Sequence, residues 1–361
     1  MRSFASGLHD RNPLVLVTAA FLLFPVLLGI QSFFTSGAWT TIPLKYWIRN
    51  SGDDYMVASW RTADLKRDPP KLPLVVLVGG SSAREALWSG AGLAADVRAV
   101  GGPRIVASDL GSHGERVGHY VAIIDNVPNT PTTVLLGVNF GAFKGTPESS
   151  LDQLKADQFP LASETLREFA VAHYAAHYGK YKHFYTILPG VFSTLVMAAR
   201  ARGAEYLLGD TKQTTYDERA FDKYSKTMSP AHEARYFKHW MSLSYQPLLQ
   251  NLDFNADLLA VAVKRGQERG LNIVLVDLPY NRWIVNSQYR KGRALYQARV
   301  RAIAAKYKVP YIDFTDQLGL HNSDFLDLNH LRPSGRTIWQ ARLGKELAKL
   351  YRSGVIRGGS S

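Results

Sequence analysis

The chain has 361 residues, of which 46% are hydrophobic and 20% are charged, and it contains no cysteine. This composition is typical of a folded globular protein, so disordered, collagen-like and disulfide-knot classes are excluded. The absence of cysteine also excludes a cysteine nucleophile, a thiolate zinc site and an iron–sulfur cluster. The net charge of +13 comes from scattered Lys and Arg residues. Because no nucleic-acid-binding motif accompanies them, we predict no nucleic-acid partner.

The N-terminal region predicts a membrane anchor. No charged residue occurs from Asn12 to Leu44, and residues 13–34 are almost continuously apolar. At about 1.5 Å per residue, about 22 residues span about 33 Å, which is enough to cross the hydrocarbon core of a bilayer. We therefore predict a short tail at 1–12 and an uncleaved transmembrane anchor at 13–34. A cleaved signal peptide and a buried core hairpin are the alternatives.

A juxtamembrane connector is predicted at 35–71, polar from Asn50 to Lys71. Three aromatic residues follow the anchor directly, namely Trp39, Tyr46 and Trp47. Tryptophan and tyrosine are enriched where a membrane meets water, so these side chains fit an interfacial aromatic belt.

Five short apolar runs follow the connector and predict a parallel sheet. They are Leu74 to Val78, Ile105 to Ala107, Thr133 to Leu136, Ile273 to Val276 and Tyr311 to Phe314. Runs with so few polar residues are typical of parallel strands that are buried on both faces. The amphipathic stretch from Ser287 to Lys306 predicts a crossover helix. We predict a doubly wound α/β domain at 72–350 and a C-terminal tail at 351–361.

The chain between the third and fourth runs is too long for one crossover helix. We therefore predict a helical insertion at 141–270. Within it, Phe184 to Ala199 contains no charged residue and is interrupted by Pro189-Gly190. A buried cap helix, a surface that docks on the bilayer or on a membrane partner, and a second span all fit this segment.

The first run ends in Gly79-Gly80-Ser81-Ser82. A serine placed directly after a buried strand, with glycines that permit a sharp turn into a helix, exposes its hydroxyl at the edge of the sheet. The same residues also suit a helix N-cap or a phosphate-binding turn, so the motif alone does not define a nucleophile.

Polar groups follow the second and third runs and precede the last helix. Gly111 follows the second run and Asn139 the third. A backbone N–H and an amide side chain at the carboxyl edge of a sheet can donate hydrogen bonds to an oxyanion, although both residue types are also common in ordinary turns. Asp327 and His330 are three residues apart, so a single turn can present an imidazole together with the carboxylate that orients it.

These four blocks, in this order, resemble those of the SGNH (GDSL-type) hydrolase superfamily. The similarity covers residues 72–350 and implies a flavodoxin-like, three-layer hydrolase fold. Carried over onto this sequence, it implies Ser81 as the nucleophile and Asp327 with His330 as the rest of a triad. Gly111 N–H and the Asn139 side chain would form the oxyanion hole. Ser82 is the alternative nucleophile, because Gly80-Ser81-Ser82 can be aligned in the same way.

Two positions depart from the usual family pattern, since Gly80 and Phe140 stand where acidic residues are common. The Gly-Gly-Ser variant and the single anchor resemble the membrane-anchored bacterial branch that takes part in O-acylation of cell-envelope polymers. The resemblance thus implies a serine esterase or O-acyltransferase that acts on acyl esters, commonly acetyl esters, of an exopolysaccharide or cell-envelope glycan. The alternative is a non-catalytic scaffold or accessory subunit of a polysaccharide synthesis or acylation complex.

The same resemblance implies a location and a set of partners. We expect a single-pass protein of the bacterial inner membrane with its catalytic domain on the periplasmic side. Its expected partners are the lipid bilayer, a glycan substrate, and a membrane-bound O-acyltransferase or polysaccharide synthase. No cofactor and no metal are expected.

Overall fold

The computed structural model describes residues 13–48, 53–151, 161–178, 230–314 and 319–357. The strands are β1 (Leu74–Val78), β2 (Val106–Asp109), β3 (Thr132–Val138), β4 (Asn272–Asp277) and β5 (Tyr311–Asp313). The α-helices are α1 (Pro13–Thr35), α2 (Asp54–Arg67), α3 (Ser81–Arg84), α4 (Gly90–Ala99), α5 (Val117–Asn126), α6 (Pro147–Ser150), α7 (Glu164–His173), α8 (Ala175–Tyr178), α9 (Pro230–Glu268), α10 (Ser287–Tyr307) and α11 (Pro333–Arg352). Short 3₁₀ turns span Ala38–Thr41, Leu44–Tyr46, Phe140–Phe143 and Asn322–Asp324.

The five strands form one parallel sheet in the order β2-β1-β3-β4-β5. In the register, Leu74 of β1 lies between Val106 of β2 and Thr132 of β3. This is the strand order of doubly wound, flavodoxin-like sheets. The predicted α/β fold with a parallel sheet is confirmed, and the strand boundaries differ from those predicted by no more than two residues.

Helices cover both faces of the sheet. Leu74, Val76 and Val78 of β1 belong to one buried cluster, which includes side chains of α5, α9 and α10. Val75 and Leu77 belong to the opposite cluster, which includes side chains of α4 and α11. Because successive side chains of a strand point to opposite faces, this apolar run supplies both cores and the molecule has three layers.

The first helix, α1, is long and apolar enough to cross a membrane. Its apolar side chains are exposed, for example Leu14 at 73% and Phe21 at 77%. No part of its most apolar stretch is buried against the rest of the described chain, so the alternative of a core hairpin is not supported.

The described residues of the predicted connector, 35–48 and 53–71, include a helix that packs on the domain. Its helix α2 buries Met56, Val57 and Ala58 against the sheet domain. The interfacial belt was the wrong interpretation of Trp39 and Trp47, which are fully buried. The two rings pack edge to face with centroids 5.3 Å apart. Both also contact the ring of Phe34, near the end of α1.

The predicted insertion and C-terminal tail also differ from the structure. The second half of α9 is the crossover helix before β4, because Leu258, Leu259 and Val263 are buried in the core. The predicted insertion therefore extended too far, while its uncharged segment at 184–199 lies outside the described residues. The predicted tail packs on the domain as far as Ile356, which is 1% exposed.

Candidate active site

The turn after β1 presents Ser81 at the carboxyl edge of the sheet. Gly80 caps α3, and its carbonyl accepts hydrogen bonds from the N–H groups of Ala83 (2.8 Å) and Arg84 (3.2 Å). A Cβ atom added to Gly79 would lie 2.7 Å from Cβ of Ala83. A glycine is thus required for the helix to begin so close to the strand, and Ser81 becomes its first residue.

Ser81, His330 and Asp327 form a hydrogen-bonded line. Ser81 Oγ lies 2.8 Å from His330 Nε2. His330 Nδ1 lies 2.9 Å from Oδ1 and 2.8 Å from Oδ2 of Asp327. The imidazole tautomer that donates Nδ1–H to Asp327 leaves Nε2 free to accept the Ser81 hydroxyl proton. These are the contacts that a serine nucleophile, its base and the orienting carboxylate require.

The turn that carries Asp327 and His330 is held on both sides. Leu326 N–H donates to the carbonyl of His330 at 2.8 Å, which closes the turn on itself. From the loop after β4, Asn281 N–H donates to the carbonyl of Leu328 at 2.7 Å. The loops after β4 and β5 therefore fix the position of the imidazole together.

The carboxylate of Asp327 is stabilised in its charged form. Burial by itself would raise the pKa of this carboxyl group, but the neighbouring His330 imidazole and its hydrogen bond lower it. The backbone N–H groups of Asn329 (2.9 Å) and His330 (3.0 Å) also donate to Asp327 Oδ1. The pKa of Asp327 therefore lies below its ordinary value of 3.8. An ionised carboxylate is the form that stabilises an imidazolium.

Ser82 and Asn139 form a second pair beside the first. Asn139 Nδ2 donates to Ser82 Oγ at 2.6 Å, while Asn139 Oδ1 accepts from Ala142 N–H at 3.0 Å. The amide group is therefore held in one orientation, and an amide nitrogen has a second N–H to offer. The structure places Ser81, and not Ser82, against the imidazole of His330.

The structure does not bring Gly111 to this site. Its N–H donates to Oδ1 of Asp109 at 2.8 Å. The residue borders a different cavity of about 280 Å³, lined also by Arg61 and Trp88. A Cβ at Gly111 would lie 2.8 Å from the backbone nitrogen of Arg84. The prediction for Gly111 is therefore corrected, because close packing against α3 explains this glycine.

Gly114, three residues later in the same loop, does line the cavity of Ser81 and Asn139. Its φ of 72° lies in the left-handed region, which favours glycine. Sequence reasoning missed it because Gly111 came first after the predicted strand. The Gly-x-x-Gly spacing from Gly111 to Gly114 was the available signal.

The cavity at Ser81 has a volume of about 230 Å³. Its lining includes the aromatic side chains of Tyr236 and Trp240 from α9 and the cationic side chains of Arg116 and Lys144. Burial and the charge of Asp327 raise the pKa of Tyr236 to about 12, so its hydroxyl remains protonated. The pocket is therefore lined by both aromatic rings and cations.

The cations of the pocket are partly buried. Lys144 Nζ donates to Ser244 Oγ at 2.9 Å and lies 5.0 Å from the centre of the Trp240 ring. Burial and the charge of Arg116 lower the pKa of Lys144 below its ordinary value of 10.5. Within the described residues, neither cation forms an ion pair with a carboxylate.

No family model and no curated protein matches the chain. Among solved structures, the chain is similar to LAE5, described as an alpha/beta hydrolase enzyme from the metagenome of Lake Arreo, Spain. The two share 9% sequence identity with a TM-score of 0.31, over 76% of this chain and 96% of that one. The proposal that follows therefore rests on the geometry of the site.

Proposed function

We propose that this protein is a membrane-anchored serine esterase or O-acyltransferase of the SGNH type. The observation that carries the proposal is the contact of 2.8 Å between Ser81 Oγ and His330 Nε2, with Asp327 on the other ring nitrogen. A hydroxyl group becomes a competent nucleophile when an adjacent base takes its proton, and a third group that orients the base completes this arrangement.

In the first half of the reaction, Ser81 Oγ attacks the carbonyl carbon of an acyl ester, and the hydroxyl proton passes to His330 Nε2. The second N–H of Asn139 Nδ2 and the backbone N–H of Gly114 stabilise the oxyanion that forms. When this intermediate collapses, the ester C–O bond breaks. His330 returns the proton to the departing alkoxide, and the acyl group remains on Ser81.

In the second half, a hydroxyl group attacks the carbonyl carbon of the acyl-serine and His330 takes its proton. The bond between that carbon and Ser81 Oγ then breaks, and His330 returns the proton to Ser81 Oγ. Water as the attacking group gives hydrolysis, and a sugar hydroxyl gives acyl transfer. Both outcomes use the same residues, so exclusion of water from the pocket selects between them.

The walls of the pocket favour a glycan as the ester or as the acyl acceptor. Tyr236 and Trp240 offer flat surfaces of the kind on which sugar rings stack. Arg116 and Lys144 lack a carboxylate counter-charge among the described residues, and unbalanced cations in a partly buried site favour an anionic ligand. The substrate class that fits both the aromatic pair and the cationic pair is an acyl ester of an acidic exopolysaccharide or cell-envelope glycan.

The length and apolar composition of α1 support a single-pass membrane anchor. The bacterial inner membrane and a periplasmic catalytic domain are proposed from the resemblance to the envelope O-acylation branch. A membrane-bound O-acyltransferase or polysaccharide synthase would supply the acyl group or the polymer. A reporter fused after Ser361 that is active only outside the cytoplasm is the expected result. Activity only inside the cytoplasm would overturn this orientation and the envelope glycan with it.

The full chain in detergent tests the chemistry. It should release nitrophenol from 4-nitrophenyl acetate, and a serine-directed phosphonate should block turnover while labelling Ser81. The Ser81→Ala variant, folded as judged by circular dichroism, should neither turn over nor be labelled. A folded wild-type protein that neither turns over nor takes the label would favour the non-catalytic scaffold.

A further inference from the structure

We propose that Asp54, on the juxtamembrane helix α2, is a positioning residue of the active site. It holds the loop that carries Gly114 against the helix that carries Ser81, so that the segment after the anchor completes the site. This inference rests on the proposed function. It assigns a catalytic task to a stretch of chain that lies outside the α/β domain in sequence.

The carboxylate of Asp54 connects the loop of Gly114 to the helix of Ser81. Its side chain is 1% exposed. Oδ2 accepts a hydrogen bond from His113 N–H at 3.0 Å and also forms an ion pair with Arg84. His113 immediately precedes Gly114, and Arg84 is the last residue of the helix that begins at Ser81. One oxygen atom thus ties the oxyanion loop to the nucleophile helix.

The ion pair is the first of a series of contacts that reaches the segment of His330. Arg84 also pairs with Glu85, and Glu85 Oε2 lies 2.5 Å from Arg336 Nη2. Arg336 Nε donates to the carbonyl of Leu331, the residue after His330, at 3.3 Å. Without Asp54, Arg84 would lose a buried counter-charge, and buried charges that lose a partner move or destabilise their surroundings.

The helix α2 touches the oxyanion loop at two further points. Arg61 Nη1 donates to the carbonyl of Asp109 at 3.2 Å. The hydroxyl oxygen of Tyr55 lies 3.1 Å from where a Cβ of Gly114 would be. The loop is therefore bounded on one side by α2, and a side chain at position 114 would crowd the Tyr55 hydroxyl.

The opposite end of α2 is fastened to the end of the anchor. Trp60 Nε1 donates to the carbonyl of Ile42 at 3.2 Å, and Lys66 Nζ donates to the carbonyl of Thr35 at 3.3 Å. These contacts connect the end of α1, through α2, to the loop of Gly114.

Two near-isosteric variants of the full chain in detergent test this role. Asp54→Asn keeps an oxygen for His113 N–H but loses the charge opposite Arg84, and a hydrogen bond that loses its charge weakens enough to lower kcat about 10-fold. Asp54→Glu keeps the charge but moves the carboxylate by one methylene group, and a misplacement of about 1 Å costs up to about 100-fold in kcat. In both variants KM should stay within about threefold, because uniform binding is untouched.

The matched control is Asp64→Asn on the same helix, where Asp64 pairs with Arg67 at the surface with both side chains 33% exposed. Its kcat should equal that of the wild type. Assays run well below the melting temperature of each variant, so that a loss of stability does not appear as a loss of kcat. If one Asp54 variant does not fold, the other decides the test.

A double-mutant cycle separates positioning from a purely structural role. Because Asp54 positions the loop whose Gly114 N–H donates to the same oxyanion as Asn139, Asp54→Asn should cost less in an Asn139→Ala background than in the wild type. Full additivity, or wild-type kcat in a folded Asp54 variant, would overturn the inference and leave the proposed function standing. A folded wild type without turnover or Ser81 label would instead remove the proposed function, and this inference with it.

Discussion

The choice between Ser81 and Ser82 as nucleophile gives the sharpest quantitative prediction. Ser81→Ala removes the hydroxyl that contacts His330 Nε2, and loss of the nucleophile of a triad lowers kcat by about 10⁶-fold. Ser82→Ala removes only a hydroxyl that accepts a hydrogen bond from Asn139 Nδ2. A hydrogen bond of this kind contributes about 0.5–1.5 kcal/mol, which corresponds to about 2- to 13-fold in rate.

The assay is turnover of 4-nitrophenyl acetate by the two variants and the wild type, at equal protein concentration and with matched circular dichroism spectra. We expect the Ser82→Ala variant to retain at least about a tenth of the wild-type kcat, whereas the Ser81→Ala variant falls to background. The opposite order would show that the contact between Ser81 and His330 is not the reactive one. Equal, small losses of kcat in both variants would show that neither serine is the nucleophile.

Four further predictions rest on the same geometry. Asp327→Asn should lower kcat for ester turnover about 10⁴-fold, because an amide group no longer selects the His330 tautomer that carries Nδ1–H. The stabilisation from Asp327 is present above its unfolded pKa of 3.8 and is lost as pH falls towards the lower folded value. Denaturant unfolding should therefore show the free-energy gap between wild type and Asp327→Asn shrinking as pH falls through 3.8, and a constant gap would contradict the low folded pKa. Asn139→Ala should lower kcat about 10²- to 10³-fold with little change in KM, the loss expected for one oxyanion donor, and unchanged kcat would remove Asn139 from the site. Lys144→Met should raise KM for the acetyl ester of a uronic acid while leaving KM for the corresponding neutral sugar ester unchanged, and equal effects on both would exclude an anion contact at Lys144.

The sheet and the triad contacts could be predicted because they depend on local patterns and one topological rule. Each parallel strand appears as an apolar run such as Leu74 to Val78, and the carboxyl ends of parallel strands meet at one edge of the sheet. Ser81 and Asn139 follow such runs directly, and His330 lies in a turn before the last helix. Residues that are 249 positions apart, such as Ser81 and His330, could therefore be expected to meet.

The loop of Gly111 and Gly114 could not be placed in the same way. Which glycine faces the pocket depends on the side chain of Asp109, which accepts the N–H of Gly111 within the loop. Whether the N–H of Gly111 bonds to a side chain or faces the pocket cannot be read from the spacing of the two glycines. A glycine required for close packing and a glycine required for an oxyanion look alike in sequence.

The helix α2 was missed for a different reason. Its sequence is polar enough to suggest a linker, yet its buried face is made by Met56, Val57 and Ala58 with the small residues Ser59 and Thr62. The role of Asp54 depends on Arg84, thirty positions later, and on the N–H of His113. Long-range pairing of a carboxylate with a guanidinium cannot be read from either segment alone.

The central claim is that an acyl group passes through Ser81, and trapping that intermediate tests it most directly. The full chain in detergent is mixed with 4-nitrophenyl acetate, quenched with acid at short times, digested and analysed by mass spectrometry. We expect an acetyl group on Ser81 that appears with the first turnover and is absent from the Ser81→Ala variant. An acetyl group on Ser82, or steady turnover by a wild-type protein that carries none on Ser81, would contradict it.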